Sequence, residues 1–269
     1  MTSPVHVVTG ASDGIGLETA LQLARRGNTL VVHARTAAKA TAAVENLKQR
    51  LPSGSFVPVH GDFSRLAEVR SLARQIADVA PQVDVLVNNA GAFFTERHET
   101  VDGFEATFQV NHLAPFLLTE LLMPQLRAAT AARVINVSSM AHSRGRVDLD
   151  DLDSKRRYEG YSAYSLSKLL NVHFTHELAR RLTETHITTN ALHPGVITTK
   201  LLRSGFGVDG ASLESGARTS VFCATAPELE KVSGKYFSDA REARCAPHAN
   251  DATLEAKLWV ISEQRAGLK

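Results

Sequence analysis

The chain has 269 residues, with 30 Lys and Arg against 28 Asp and Glu and a formal net charge of +2. That near balance excludes a strongly basic nucleic-acid binder and an acidic tail protein. At 43% hydrophobic residues the composition excludes global disorder. Two cysteines, Cys223 and Cys245, are too few and too far apart in sequence for a disulfide framework or a Cys-rich zinc site. No run of about 18 apolar residues occurs, and the N-terminal MTSPVHVVTG lacks the charged and apolar regions of a signal peptide. The expected address is cytoplasmic, with neither membrane nor nucleic acid as a partner.

The first β-rich run, Val5–Thr9, opens directly into Gly10-Ala11-Ser12-Asp13-Gly14-Ile15-Gly16 and a helix. Gly10 permits a tight turn, Gly14 lets backbone approach a pyrophosphate, and Gly16 lets the helix pack close to the strand. The helix N-terminus then offers unpaired N–H groups to phosphate. The spacing is G-x-x-x-G-x-G rather than the commoner G-x-G-x-x-G. The second run, Thr29–His33, follows Gly27, a helix-ending glycine behind Arg25-Arg26. It ends in Ala34-Arg35, with no carboxylate to take a ribose 2′-OH. Arg35 suits a 2′-phosphate, which favours NADP(H) over NAD(H). Ala40, Val44, Leu47 and Leu51 then repeat at helical spacing. After a third run, Phe56–His60, so do Leu66, Val69, Leu72, Ile76 and Val79.

Further strands are expected at Val83–Asn88, Val134–Ser138, Thr188–His193 and Lys235–Phe237. The alternation predicts βαβ units and a mostly parallel, doubly wound α/β sheet. No linker divides the chain, so one domain over residues 1–269 is expected, with a substrate-covering loop or weak helix near 196–216. Asn88-Asn89-Ala90-Gly91 and Asn136-Val137-Ser138-Ser139 both fall at C-terminal strand ends, where open α/β sheets bind ligands. A serine hydroxyl there can donate to a carbonyl oxygen that gains charge. It can equally cap the next helix. Tyr164 and Lys168 stand four apart, one turn of a helix. At about 5 Å and an effective dielectric near 20, the ammonium would lower the phenol by about 2 pKa units, toward about 8. His173 and His176 lack the H-E-x-x-H spacing, so no metal site is expected. The acidic run at 148–153 reads as a solvated loop.

TGASDGIG, NNAG, VNHLAPF around Asn111, NVSS, YSLSK and HPG occur in one order over the first 200 or so residues. Together they resemble the short-chain dehydrogenase/reductase family. The resemblance implies a Rossmann-type domain, a nicotinamide cofactor and an Asn-Ser-Tyr-Lys group. Tyr164 would exchange the proton. Lys168 would hold the nicotinamide ribose, Ser139 (with Ser138 its alternative) would polarise the substrate oxygen, and Asn111 would hold a water. Asp62 and Phe63 would face the adenine, Asn89, Ala90 and Gly91 would pass beside its ribose, and Pro194, Gly195, Val196 and Thr198 would cover the nicotinamide. Asp13 departs from the Lys or Arg that many NADP-using members carry. Tyr164 follows Ser139 by 25 residues, about twice the common spacing. The insertion at 144–159 resembles the branch of retinol dehydrogenases and WW-domain oxidoreductases. The implied activity interconverts a carbonyl and a secondary alcohol on a bulky apolar small molecule. Alternatives are C=C or C=N reduction at the same Tyr-Lys pair, or non-catalytic NADP(H) binding. Phe93, Phe94, Leu201, Leu202, Phe206 and Val208 are expected to wall the substrate pocket. The helices bearing Asn111 and Tyr164 pair across subunits in this family, which implies a homodimer or homotetramer.

Overall fold

The computed structural model describes residues 3–199 and 210–269. In the first half β1 (Val5–Val8), β2 (Thr29–Ala34), β3 (Phe56–His60) and β4 (Val85–Asn88) alternate with α1 (Gly14–Ala24), α2 (Ala37–Arg50) and α3 (Leu66–Val79). Next come α4 (Ala106–Phe108), a π turn at Gln109–Leu113, α5 (Ala114–Leu121) and α6 (Met123–Ala128). The second half carries β5 (Ala132–Val137), a 3₁₀ turn at Met140–Arg144, α7 (Gly160–Arg181) and β6 (Ile187–His193). It ends with α8 (Leu213–Thr225), β7 (Lys235–Ser238), β8 (Arg241–Ala243) and α9 (Ala252–Arg265).

Among the described residues the strands form one sheet in the order β3-β2-β1-β4-β5-β6-β7-β8. All neighbours are parallel except β7 and β8. This is a Rossmann-type doubly wound sheet. The chain winds outward from β1 to β3, then returns beside β1 as β4. That reversal opens a crevice at the C-terminal strand ends.

Side-chain caps start α1 and α2: Asp13 accepts from Gly14 N at 2.7 Å, and Thr36 from Lys39 N at 3.4 Å. The expected strands agree within two residues at each end, and the third helix runs over the expected Leu66–Val79. Gly27, at φ +85°, closes the end of α1 as expected.

Each sheet face has its own apolar core. One gathers α1, α2 and α8 with residues such as Leu21, Leu47 and Val221. The other gathers α3, α5, α7 and α9 with residues such as Leu72, Leu117 and Leu170. In the second, the Phe116 ring meets Trp259 at 4.9 Å and Phe174 at 5.3 Å between centroids. The apolar surface of α5 and α7 that the resemblance assigns to a partner subunit is thus covered, in part, by α9 of the same chain. No helix among the described residues is long and apolar enough to cross a membrane.

The acidic run is not simply solvated. Asp153 is buried, accepts from Glu105 N at 3.0 Å and pairs with Arg265 at 2.9 Å. Asp151 does stay at the surface, where it caps Lys155 N and Arg156 N at 2.7 and 3.0 Å. Nearby, the Tyr158 hydroxyl donates to the Phe94 carbonyl at 2.9 Å. The insertion therefore braces the segment that carries Phe93 and Phe94.

Candidate active site

A cleft of about 1100 Å³ runs along the C-terminal strand ends. Its wall begins at Arg35 and Lys39, passes the glycine loop, and reaches Ser139, Tyr164 and Lys168. The glycine loop is built for close approach. Gly10 sits at φ +63°, and a Cβ there would lie 2.7 Å from Ala90 Cα. A Cβ on Gly16 would lie 2.4 Å from the Gly10 carbonyl oxygen. Gly14, at φ +58°, has only Thr199 Cγ2 within reach of a Cβ, at 3.6 Å, so its backbone stays open to the cleft. Two glycines serve packing and one serves access, which is the division a pyrophosphate cradle needs. The cradle has the shape a dinucleotide's pyrophosphate needs, and Ser12, Gly14 and Ile15 line it.

Neighbouring strands fasten the loop. The Thr9 hydroxyl accepts from Asn89 N and Ala90 N at 2.9 and 3.0 Å, and the Asn89 amide donates to the Thr9 carbonyl at 2.7 Å. Asn89 thus braces the loop from the β4 side. His33, which sequence reasoning passed over, fastens it from the other side. Its Nδ1 accepts from Gly10 N at 3.1 Å, so its Nε2–H donates to the Gly61 carbonyl at 2.9 Å. Its ring stacks on Phe63, 4.9 Å away. Burial lowers the His33 pKa to about 4. A histidine inside an otherwise apolar strand was the available signal.

His6, His33 and His193 are lowered to about 4, and His112 to about 3, in each case mainly by burial. Each is neutral when folded and protonates near pH 6.5 when unfolded, so between these values the unfolded chain binds more protons. Stability is therefore expected to fall as pH drops from about 6.5 toward 4. Urea midpoints at pH 7, 6 and 5 check this, and a midpoint that is level or rises toward pH 5 contradicts it.

At the other end of the cleft, α7 holds Tyr164 and Lys168 one turn apart. Lys168 is buried and its Nζ donates to the Val137 carbonyl at 3.0 Å. Nζ lies 5.5 Å from the Tyr164 ring centroid. The phenol is not lowered as the charge argument anticipates. Burial raises Tyr164 to about 12, and its hydrogen bond with Ser139 only partly offsets that. Burial also lowers Lys168 to about 8. Desolvation is the largest cause for both groups.

The two serines of NVSS make different contacts. Ser138 Oγ donates to the Lys168 carbonyl at 2.7 Å, whereas Ser139 meets Tyr164. Ser139 also caps the following 3₁₀ turn. His142 steadies that turn: Ala246 N donates to its Nε2 at 3.0 Å, and its Nδ1 donates to the Ser139 carbonyl at 2.7 Å. Asn111 sits in the π turn, a feature frequent at functional sites. Its side chain donates to the Ala92 carbonyl and Ser167 Oγ at 2.9 and 3.0 Å and accepts from Ala92 N at 2.7 Å. Both amide protons are therefore committed to joining the segment after β4 to α7.

Gly10, Ser12, Asp13, Gly14, Ile15, Gly16, Arg35, Asp62, Phe63, Asn89, Ala90, Gly91, Pro194, Gly195 and Val196 all line the cleft. Thr198 does not. Its hydroxyl donates to the Gly210 carbonyl at 2.8 Å and accepts from Gly210 N at 2.7 Å, while Thr199 faces the cleft. Pairing of Ile197 with Ala211 turns the Thr198 side chain toward that partner segment. Asp13 spends one oxygen on Gly14 N as helix cap. Phe94 lines the cleft and Phe93 packs edge-on against Tyr164 at 5.8 Å. Leu201, Leu202, Phe206 and Val208 lie outside the described residues. Lys39 and Asn46, both on α2, are wall residues that the sequence reading missed. Lys39 lies one turn beyond Arg35, a spacing that could have flagged it.

The family model for short chain dehydrogenases matches residues 4–206. Human retinol dehydrogenase 13 is 40% identical over 98% of this chain and 84% of its own length. Human retinol dehydrogenase 12 is 39% identical over 98% of this chain and 87% of its own. A crystal structure of an uncharacterised protein from Mycobacterium paratuberculosis is 35% identical, with a TM-score of 0.83 over 98% of this chain and 93% of that one. The chain belongs to the short-chain dehydrogenase family of nicotinamide-dependent oxidoreductases, on the branch that holds the retinol dehydrogenases.

Proposed function

We propose that this chain is an NADP(H)-dependent oxidoreductase that interconverts a carbonyl and an alcohol on a bulky, apolar, retinoid-like small molecule. One observation carries the reading. A single cleft places Arg35 and Lys39 at one end and Ser139, Tyr164 and Lys168 at the other, with the glycine cradle between them. Among the described residues neither Arg35 nor Lys39 has an ion pair, and both stand at the start of α2. Two cations and a helix N-terminus suit a ribose 2′-phosphate.

When bound, a nicotinamide would supply or accept the hydride. Tyr164 gives the carbonyl oxygen its proton in reduction and takes it back in oxidation. The Ser139 hydroxyl steadies the same oxygen as it gains charge. Lys168 would hold the nicotinamide ribose and keeps a positive charge beside the phenol. Met140, Phe94, Val110 and Val196 supply apolar surface along the cleft for the substrate. The names of the relatives point to the same substrate class.

Fluorescence titration with NADPH and NADH tests the cofactor. Arg35→Ala is expected to weaken NADPH about ten- to a hundredfold, since a charge-assisted hydrogen bond contributes about 1.5–3 kcal/mol. NADH affinity should stay within about twofold. Equal affinity of the unsubstituted protein for the two cofactors, or an equal loss of both in the variant, contradicts the assignment.

A further inference from the structure

The peptide unit between Thr9 and Gly10 is where the glycine loop leaves β1. Side chains from the two neighbouring strands hold it at both polar ends. Its carbonyl, on Thr9, accepts from the Asn89 amide at 2.7 Å. Its N–H, on Gly10, donates to His33 Nδ1 at 3.1 Å. Among the described residues Gly10 N has no other acceptor. One residue further on, Ala11 N donates to the His33 carbonyl at 2.8 Å. The end of β2 thus grips the loop through both the side chain and the backbone of one residue.

The His33 ring is itself locked. Its Nε2–H goes to the Gly61 carbonyl at 2.9 Å, which leaves Nδ1 bare for Gly10. Phe63 stacks on its face, 4.9 Å away with the two planes 18° apart, and fixes the ring plane. The Phe63 carbonyl is held in turn by the Gln109 amide at 3.2 Å. His33 is only 3% exposed. Burying an imidazole costs more than burying the Leu and Val that precede it in β2. An aliphatic side chain could pack at this place, but it could not accept from Gly10 N.

We propose that His33 is a positioning residue for the cofactor: by accepting from Gly10 N it fixes the plane of the Thr9–Gly10 peptide, and so aims the N–H groups of the glycine loop at the pyrophosphate before the cofactor arrives. This rests on the reading of the cleft as a dinucleotide site. The pyrophosphate is common to NADPH and NADH, so His33 acts on both alike, whereas Arg35 acts on NADPH alone. Without the acceptor the loop is free to turn. A loop that keeps the binding geometry about a tenth of the time raises Kd about tenfold.

The test titrates NADPH and NADH into the full chain and two variants, read by fluorescence. His33→Leu fills the space and removes the acceptor; it should weaken both cofactors by about tenfold or more. His33→Asn places its Oδ1 where Nδ1 stands, so both affinities should stay within about threefold of the unsubstituted chain. Equal losses in the two variants, or a His33→Leu chain that binds like its parent, overturns the proposal. An unsubstituted chain that takes NADH and not NADPH strikes the 2′-phosphate assignment alone, since the variants are then compared on NADH. Binding of neither dinucleotide overturns both. Nitrogen NMR of the unsubstituted chain decides the matter even if neither variant folds. At pH 7 the His33 ring should be protonated at Nε2 and bare at Nδ1, and the reverse tautomer overturns the proposal.

Discussion

Tyr164→Phe is expected to reduce turnover about a hundred- to ten-thousandfold, the range for loss of one positioned acid-base group. The substitution removes one oxygen. The ring keeps its edge-on contact with Phe93 at 5.8 Å and its place over Lys168 Nζ. The Lys168 bond to the Val137 carbonyl does not involve the phenol. NADPH affinity should therefore stay within about twofold, and the loss should appear in kcat. Single-turnover reduction of a retinoid aldehyde, beside cofactor titration, measures both. Turnover near that of the unsubstituted protein would remove Tyr164 from the mechanism. The direction of the pKa shift adds a second expectation. Burial holds the phenol protonated well above neutral pH, the form that donates to a carbonyl. Alcohol oxidation needs the proton removed first, so its rate should climb with pH across the range where reduction is level.

Gly10→Ala is expected to abolish cofactor binding at ordinary concentrations and to cost on the order of 3 kcal/mol of stability. Two independent penalties add. At φ +63° a non-glycine residue pays about 1–2 kcal/mol. The new Cβ also meets Ala90 Cα at 2.7 Å, backbone that cannot turn aside. Either the loop or the segment after β4 must move. Both are tied to the Thr9 hydroxyl, so the cradle opens with them. In a chain of this size about 3 kcal/mol corresponds to a fall in Tm of about 6–12 °C. Thermal denaturation with and without NADPH reads both effects. A variant that is as stable as the parent and is stabilised as much by NADPH would show that the loop is not the cradle.

The first sheet half was legible because local chemistry and tertiary demand agree there. Leu66, Val69, Leu72 and Ile76 repeat at helical spacing and all face one core. The glycine loop was legible for the same reason, since each glycine answers a backbone requirement that shows locally. The Tyr164–Lys168 pair was legible as a spacing only. The same pattern on a surface helix would mean nothing, and it gains meaning from Ser139 beside it, 25 residues earlier.

Other features were hidden because they depend on partners far away in sequence. His33 fastens the glycine loop through a bond spanning 23 residues and is itself held by one to Gly61 spanning 28. Asp153 looked like one more acid in a solvated run, yet Arg265, 112 residues later, makes it a buried tie. Thr198 was placed over the nicotinamide from its motif, but pairing with Gly210 turns it away. That His173, His176 and Arg180 gather around Glu255 follows from the packing of α9 on α7.

By itself the sequence determined the periodicities, the turn chemistry and the inventory of reactive groups, because these are properties of a residue and its near neighbours. Only the tertiary structure decided which hydroxyl meets the phenol, which cations lack an ion pair among the described residues, and which way the pKa values move. Those depend on burial and on contacts between distant segments, and in this chain desolvation reversed the direction that the charge argument gives for Tyr164.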